Sequence, residues 1–146
     1  MKFSTEINAP KEKVWQILWD DATYRKWTAP FMEGSYAKGD WSEGSKMQFL
    51  SPDGSGMFSK VEKNIPNEHM LFRHLGVVNK GTEETDTEES KSWNGTTESY
   101  RLSEKNGVTT LDTEMGSENG IPKEFEGYFL AAFPKALQKI KELSEN

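Results

Sequence analysis

The sequence contains no cysteine, only two histidines, and no apolar run long enough to cross a bilayer. Each shortage removes a class of function. Without cysteine there is no disulfide framework, thiolate metal site or thiol nucleophile. His69 and His74 stand five apart on one expected strand and so point to opposite faces, which excludes a shared metal site. No metal or other cofactor is expected. Positive charge is also short, with 18 Lys and Arg against 24 Asp and Glu and a net charge of −6. That balance argues against nucleic acid or an anionic membrane as partner, since both need a positive footprint. The stretch Met1–Glu6 has no apolar signal region, so a cytoplasmic protein without membrane insertion is expected.

What apolar mass there is sits in a few large side chains. Hydrophobic residues make up 34% of the chain, yet aromatics reach 12%, with five Trp, eight Phe and six Met. Such a composition suits a lined cavity as well as a solid core. At 146 residues the chain is expected to form a single domain over residues 1–146.

The clearest pattern lies at the C-terminal end. Phe125, Phe129, Phe133 and Leu137 recur every four residues, and Ala132, Ala136 and Ile140 fill in at the helical offset. This predicts one long amphipathic helix from Ile121 to Leu143, with Lys123, Glu124, Glu126, Lys135, Lys139 and Glu142 on its solvated faces. Pro122 suits the first turn, where its missing N–H costs nothing, whereas Pro134 in the interior predicts a kink. Gly127 reads as a point of close approach to another backbone. Three phenylalanines on one face need a large apolar partner, and most of the remaining chain reads as strands.

Lys2–Asn8 alternates as a half-buried strand. Ala9-Pro10 then opens a helix that buries Val14, Trp15, Ile17 and Leu18, and a second short helix follows over Asp21–Trp27 with Ala22, Tyr24 and Trp27 together. From Glu33 onward, glycines at 34, 39, 44, 54, 56 and 76 separate short alternating runs, as in an antiparallel meander. Met47 and Phe49 share one strand face, and Met57, Ser59, Val61 and Ile65 share another. Met70–Val78 is the most continuously apolar strand. Asn79–Ser92, with five acidic residues and no apolar rhythm, reads as a solvated loop or weakly pairing polar hairpin; calcium-loop spacing is absent. Glu98, Tyr100 and Leu102 alternate toward the helix, Glu104-Lys105-Asn106-Gly107 marks a hairpin, and Thr109, Leu111, Thr113 and Met115 alternate on the return. The fold class is therefore α+β, with about six or seven antiparallel strands, two short helices after the first strand, and a long C-terminal helix.

Few residues offer chemistry. His69 is expected in solvent beside a turn, and His74 inside the apolar strand as a hydrogen-bonded histidine. Alternation forbids Arg73 and His74 from facing the same way unless a bulge intervenes. Glu98 and Tyr100 form the more coherent pair: a buried carboxylate could act as acid or base, with a phenol orienting a carbonyl. The alternative places Glu98 at the wet end of its strand, with the Tyr100 hydroxyl in solvent. Trp41 and Trp93, near Gly-rich turns, read as rim residues or as gates of a cavity mouth. No Ser-His-Asp order, phosphate loop or nucleophile elbow occurs, and no catalytic residue is assigned.

Ile7-Asn8-Ala9-Pro10, Val14-Trp15 and Trp27 resemble the opening of the START-like helix-grip superfamily. More narrowly, the chain resembles the branch named for the C-terminal domain of the Hsp90-ATPase activator. Gly39-Asp40 before Ser45, Met47 and Phe49, the turn Ile65-Pro66-Asn67, the pair Thr110-Leu111, and Gly127-Tyr128 where the family usually shows Gly-Trp carry the likeness along nearly the whole chain. The resemblance implies a curved antiparallel sheet wrapped around the C-terminal helix, with a cavity between them. The superfamily includes lipid carriers, hormone receptors, polyketide cyclases and co-chaperone domains, so fold alone does not select a function.

The expected function is non-enzymatic binding of a hydrophobic small molecule or lipid in that cavity. Met47, Phe49, Met57, Val61, Glu98, Tyr100, Leu111, Met115, Phe125, Phe129 and Phe133 are the expected lining. The alternatives are a cyclase- or hydrolase-type enzyme using polar residues of the same cavity, and a co-chaperone-like protein-binding module. A chaperone contact rests on the resemblance alone.

Overall fold

A computed structural model describes residues 1–117, 121 and 123–146. The elements follow in the order β1 (Lys2–Ile7), α1 (Lys11–Trp19), α2 (Asp21–Trp27), β2 (Tyr36–Lys38), β3 (Lys46–Leu50), β4 (Gly56–Ile65), β5 (His69–Asn79), β6 (Thr82–Glu84), α3 (Glu88–Trp93), β7 (Thr97–Lys105), β8 (Val108–Gly116) and α4 (Lys123–Glu145). The placing of Pro122 at the helix start lies outside the described residues.

All the strands join one antiparallel sheet of eight, in the order β1-β8-β7-β5-β4-β3-β2, with β6 beside β5. The sheet is larger than the sequence pattern suggests because short strands carry little periodicity. Two-residue turns set two of the hairpins. Asn106 and Gly107 have φ of 54° and 80°, and Lys80 and Gly81 have 47° and 91°. A turn positive at both central residues matches the twist of the strands that it joins.

The inner face holds the main core, in which Ile7, Val14, Leu18, Val61, Leu111 and Ile140 are all fully buried. Trp19 stands at its centre, with its ring edge-on to Trp27, Phe72 and Tyr100. The Trp27 indole N–H donates to the Leu18 carbonyl at 3.0 Å, which ties α2 back onto α1. Trp41 is partly buried, and its ring packs against the core on Trp19, Tyr24, Phe49 and Phe72. A second, smaller cluster of Leu50, Phe58 and Val78, with Tyr36 and Leu75 against it, lies apart from this core.

Several expectations fail for local reasons. A register shift between Val61 and Lys63 changes the phase of β4, so Ile65 ends up 43% exposed, away from the face it was grouped with. Gly76 lies within β5 rather than between strands, and a Cβ there would stand 2.5 Å from the Glu84 carbonyl oxygen. Ala22 is exposed on α2. Gly127 approaches no other backbone, since a Cβ added there meets nothing within 4 Å.

The acidic stretch after β5 is also ordered. β6 pairs with Val77–Asn79, while β7 pairs with His69–Arg73 on the same edge of β5. In the gap between them, the Val77 N–H donates to Ser90 Oγ and the Leu75 carbonyl accepts from Asn94. Ser90 Oγ in turn donates to the Glu84 carbonyl. Thr87 caps α3 by accepting from the Ser90 N–H at 3.1 Å. Backbone satisfaction, not apolar rhythm, holds this segment, and for that reason periodicity does not reveal it.

Candidate functional site

α4 is seated unevenly. Ala132, Phe133, Ala136, Leu137 and Ile140 are buried, and the helix packs on β1, α1 and α2. Phe133 stacks on Phe3 at 4.9 Å and meets Phe31 edge-on at the same distance. Toward the N-terminal end the stripe continues, but Phe125 and Phe129 are only half-buried. Between this end of α4 and the sheet lies a cavity of about 760 Å3.

Eight of the expected lining residues face this cavity: Phe49, Met57, Glu98, Tyr100, Met115, Phe125, Phe129 and Phe133. Met47, Val61 and Leu111 do not, for each is fully buried in the packed core. Alternation tells which face a residue takes, but not how far along the strand the cavity extends. Tyr24, Trp27, Phe31 and His74, outside the expected lining, also line it, as does Trp93, which the sequence offers only as a rim or gate residue. Trp93, in α3 beside the gap in β5's edge, is 3% exposed and packs against Phe125, Phe129 and His74. Only the tertiary fold brings an isolated Trp in an acidic stretch to that wall.

The polar end of the cavity joins three strands. Ser59 Oγ lies 2.6 Å from His74 Nδ1, because Ser59 and His74 are paired across β4 and β5. The Tyr100 hydroxyl donates to Glu98 Oε2 at 2.7 Å, two residues along β7 on the same face. His74 Nε2 stands 3.7 Å from Glu98 Oε1, short of a hydrogen bond, and it is buried without a partner. Glu98 is therefore neither at the wet end of its strand nor fully enclosed: its side chain is 19% exposed. Burial first, and then the neighbouring negative Glu98, push the Tyr24 and Tyr100 hydroxyls well above the ordinary phenol range. Both phenols remain donors at neutral pH. Arg73 faces outward and holds Glu62 at 2.7 Å, as alternation requires when His74 faces inward.

His69 lies outside the cavity. It is buried rather than solvated, at 5% exposure, and its Nε2 meets Ser99 Oγ at 3.0 Å. Burial, followed by the Arg101 and Lys63 charges, lowers its pKa from the ordinary 6.5. A folded-state value below the unfolded one means that the unfolded chain binds more protons as pH falls. Stability is therefore expected to decline from about pH 7 toward about pH 5, with His69→Gln giving a shallower decline in denaturant midpoints. Glu83 and Glu145, whose pKa values are lowered from 4.5, weaken the fold only below that range. An unchanged slope in His69→Gln would remove His69 as the cause.

The cavity can enclose an apolar body, and its deep polar end offers the Glu98 carboxylate, the Tyr24 and Tyr100 phenols and the His74 imidazole. Among the described residues no group of three or more His, Cys, Asp or Glu is placed to hold a metal ion. No helix of the described residues is long and apolar enough to cross a membrane.

Comparison with known proteins supports the same architecture. The family model described as "Activator of Hsp90 ATPase homolog 1-like protein" matches residues 8–145. The Aha1 dimer structure from Colwellia psychrerythraea superposes with a TM-score of 0.74 at 23% identity, covering 99% of this chain and 95% of that one. Protein MLL2253 from Mesorhizobium loti gives 0.71 at 15% identity, covering 98% and 96%. DynU16, from the dynemicin biosynthetic locus, gives 0.69 at 16% identity, covering 97% of this chain and 45% of its own. Identities this low speak for the fold alone. No protein of curated function matches the sequence.

Proposed function

We propose, from the premise that the chain belongs to the Activator of Hsp90 ATPase homolog 1-like family, that it binds a hydrophobic small molecule or lipid non-covalently between sheet and C-terminal helix. The uneven seating of α4 carries this reading. One helix face holds Phe125, Phe129 and Phe133, yet only Phe133 is buried, and the other two border about 760 Å3 of space. Half-exposed aromatics around a cavity of this size supply apolar surface for a guest. At about 25 cal/mol per Å2, a ligand burying about 400 Å2 gains roughly 10 kcal/mol before association costs, which leaves millimolar to micromolar affinity.

The test is native mass spectrometry of the protein as purified, with solvent extraction of bound material. A reproducible adduct that extracts as an apolar compound supports the reading. A bare mass that does not shift on challenge with lipids and aromatic metabolites counts against it. Stimulation of a chaperone ATPase by such a ligand-free protein would favour a surface partner instead.

A second reading, acid–base catalysis in the same cavity, draws on the Tyr100–Glu98–His74 arrangement. A carboxylate with one oxygen free, beside an imidazole, can accept a proton from a bound substrate. Under this reading Glu98→Gln abolishes turnover and leaves folding intact.

A further inference from the structure

Among the described residues that line the cavity, those drawn from Asp, Glu, Lys and Arg are all acidic. Glu84, Glu89 and Glu98 are part of its lining, and among the described residues that line it there is no lysine or arginine. Glu84 and Glu89 lie toward solvent, the first half-exposed and the second exposed, whereas Glu98 sits deeper. Arg73, next to His74 in sequence, faces away from the deep carboxylate and is committed to Glu62 at 2.7 Å.

The deep carboxylate keeps one acceptor oxygen without a hydrogen bond from the protein. Oε2 accepts from Tyr100, but Oε1 has only His74 Nε2 beside it, at 3.7 Å, and that buried nitrogen has no partner of its own. A partly enclosed carboxylate oxygen next to a buried, unsatisfied nitrogen leaves two hydrogen-bonding atoms for a guest to complete. The surrounding walls are aromatic: Tyr24, Trp27, Trp93 and Tyr100 all contribute ring surface. Aromatic faces attract cations through their quadrupole, most strongly when water is excluded.

Resting on the ligand-binding reading above, we propose that the cavity selects apolar molecules bearing one protonated amine. The ammonium group donates to Glu98 Oε1 among the aromatic rings, and the apolar body lies along Phe125 and Phe129. Anionic amphiphiles such as fatty acids are rejected, because three carboxylates face them with no cation to answer.

The test titrates the intact chain with decylamine, decanol and decanoic acid below their micellar concentrations, following heat and the intrinsic tryptophan fluorescence, to which the lining residues Trp27 and Trp93 contribute. The expected order is amine, then alcohol, then acid, with one amine per chain and about tenfold tighter binding of amine than of alcohol. Glu98→Gln is expected to bring the amine to the level of the alcohol, while decanol affinity stays within about twofold. The ranking on the unmodified chain stands whether or not that variant folds. Equal binding of amine and alcohol, a preference for the acid, or a preference that survives in folded Glu98→Gln overturns the amine selection and leaves the cavity a ligand site. Several amines per chain would show attraction to the acidic surface and also overturn it. Failure of all three probes overturns the ligand-binding reading and this inference together.

Discussion

Phe133→Ala is expected to lower stability by about 3 kcal/mol, on the order of 10 °C in Tm, whereas Phe129→Ala costs only about 1 kcal/mol. The two side chains stand one turn apart on the same apolar stripe, and the sequence makes them equivalent. Phe133 is 2% exposed and wedged between Phe3 and Phe31. Its removal forfeits these ring contacts and the one with Phe129, and leaves a hole where β1 meets the helix. Phe129 touches Phe31, Trp93 and Phe133, but is half-buried against the cavity, so less of its surface returns to water on unfolding. Ligand binding should respond differently: Phe129→Ala removes wall surface from the guest and is expected to weaken an apolar ligand by about tenfold. Thermal melts and titrations of the two variants check this. Equal stability losses would mean that the N-terminal part of α4 is as firmly packed as the rest, and the cavity reading would fail with it.

Gly56→Ala is expected to cost about 3 kcal/mol or more, placing it among the most damaging methyl additions available to this chain. Gly56 opens β4 opposite Leu50, and a Cβ there would lie 1.9 Å from the Phe49 carbonyl oxygen and 2.9 Å from its carbonyl carbon. Both are backbone atoms, so no side-chain rotation relieves the overlap. β3 and β4 must part at that end, which also displaces Phe49 and Met57 from the cavity wall. Gly127→Ala is the matched control. Gly127 lies in α4 with nothing within 4 Å of an added Cβ, so alanine there should raise stability by about 0.5–1 kcal/mol through its better helix propensity. Denaturant unfolding of both variants, compared at equal slope, measures the contrast. A mild effect at Gly56 would show that the β3–β4 end yields easily.

Much of the fold was legible because long elements repeat their pattern often enough to be read. β1, α1, α2 and the β7–β8 hairpin fall within a residue or so of their expected places, each marked by alternation, a helical face or Asn-Gly. Two kinds of feature were not legible. Bulges shift strand phase without altering composition, and this is how Ile65 comes to lie outside. Segments held by polar capping rather than by apolar burial carry no rhythm, so the sequence offers only a loop or a weakly pairing polar hairpin where β6 pairs and α3 forms. The candidate site divides in the same way. Glu98 and Tyr100 share a face through the two-residue period of a strand, but their approach to His74 depends on β5 lying beside β7.

By itself, the sequence determined the fold class, the inward stripe of the last helix and the aromatic character of whatever lies beneath it. Those are properties of local periodicity, and each residue carries its own share of them. The tertiary structure alone decided where along that stripe the helix meets packed side chains and where it stands over open space. Met47, Val61 and Leu111 match the cavity residues in chemistry, but they lie in the packed core. Tyr24 and Trp27 from α2 and Trp93 from α3 come from two distant stretches and meet at the cavity through the tertiary fold. Depth and position within a shared face depend on contacts between residues far apart in the chain, and no period in the sequence encodes those distances.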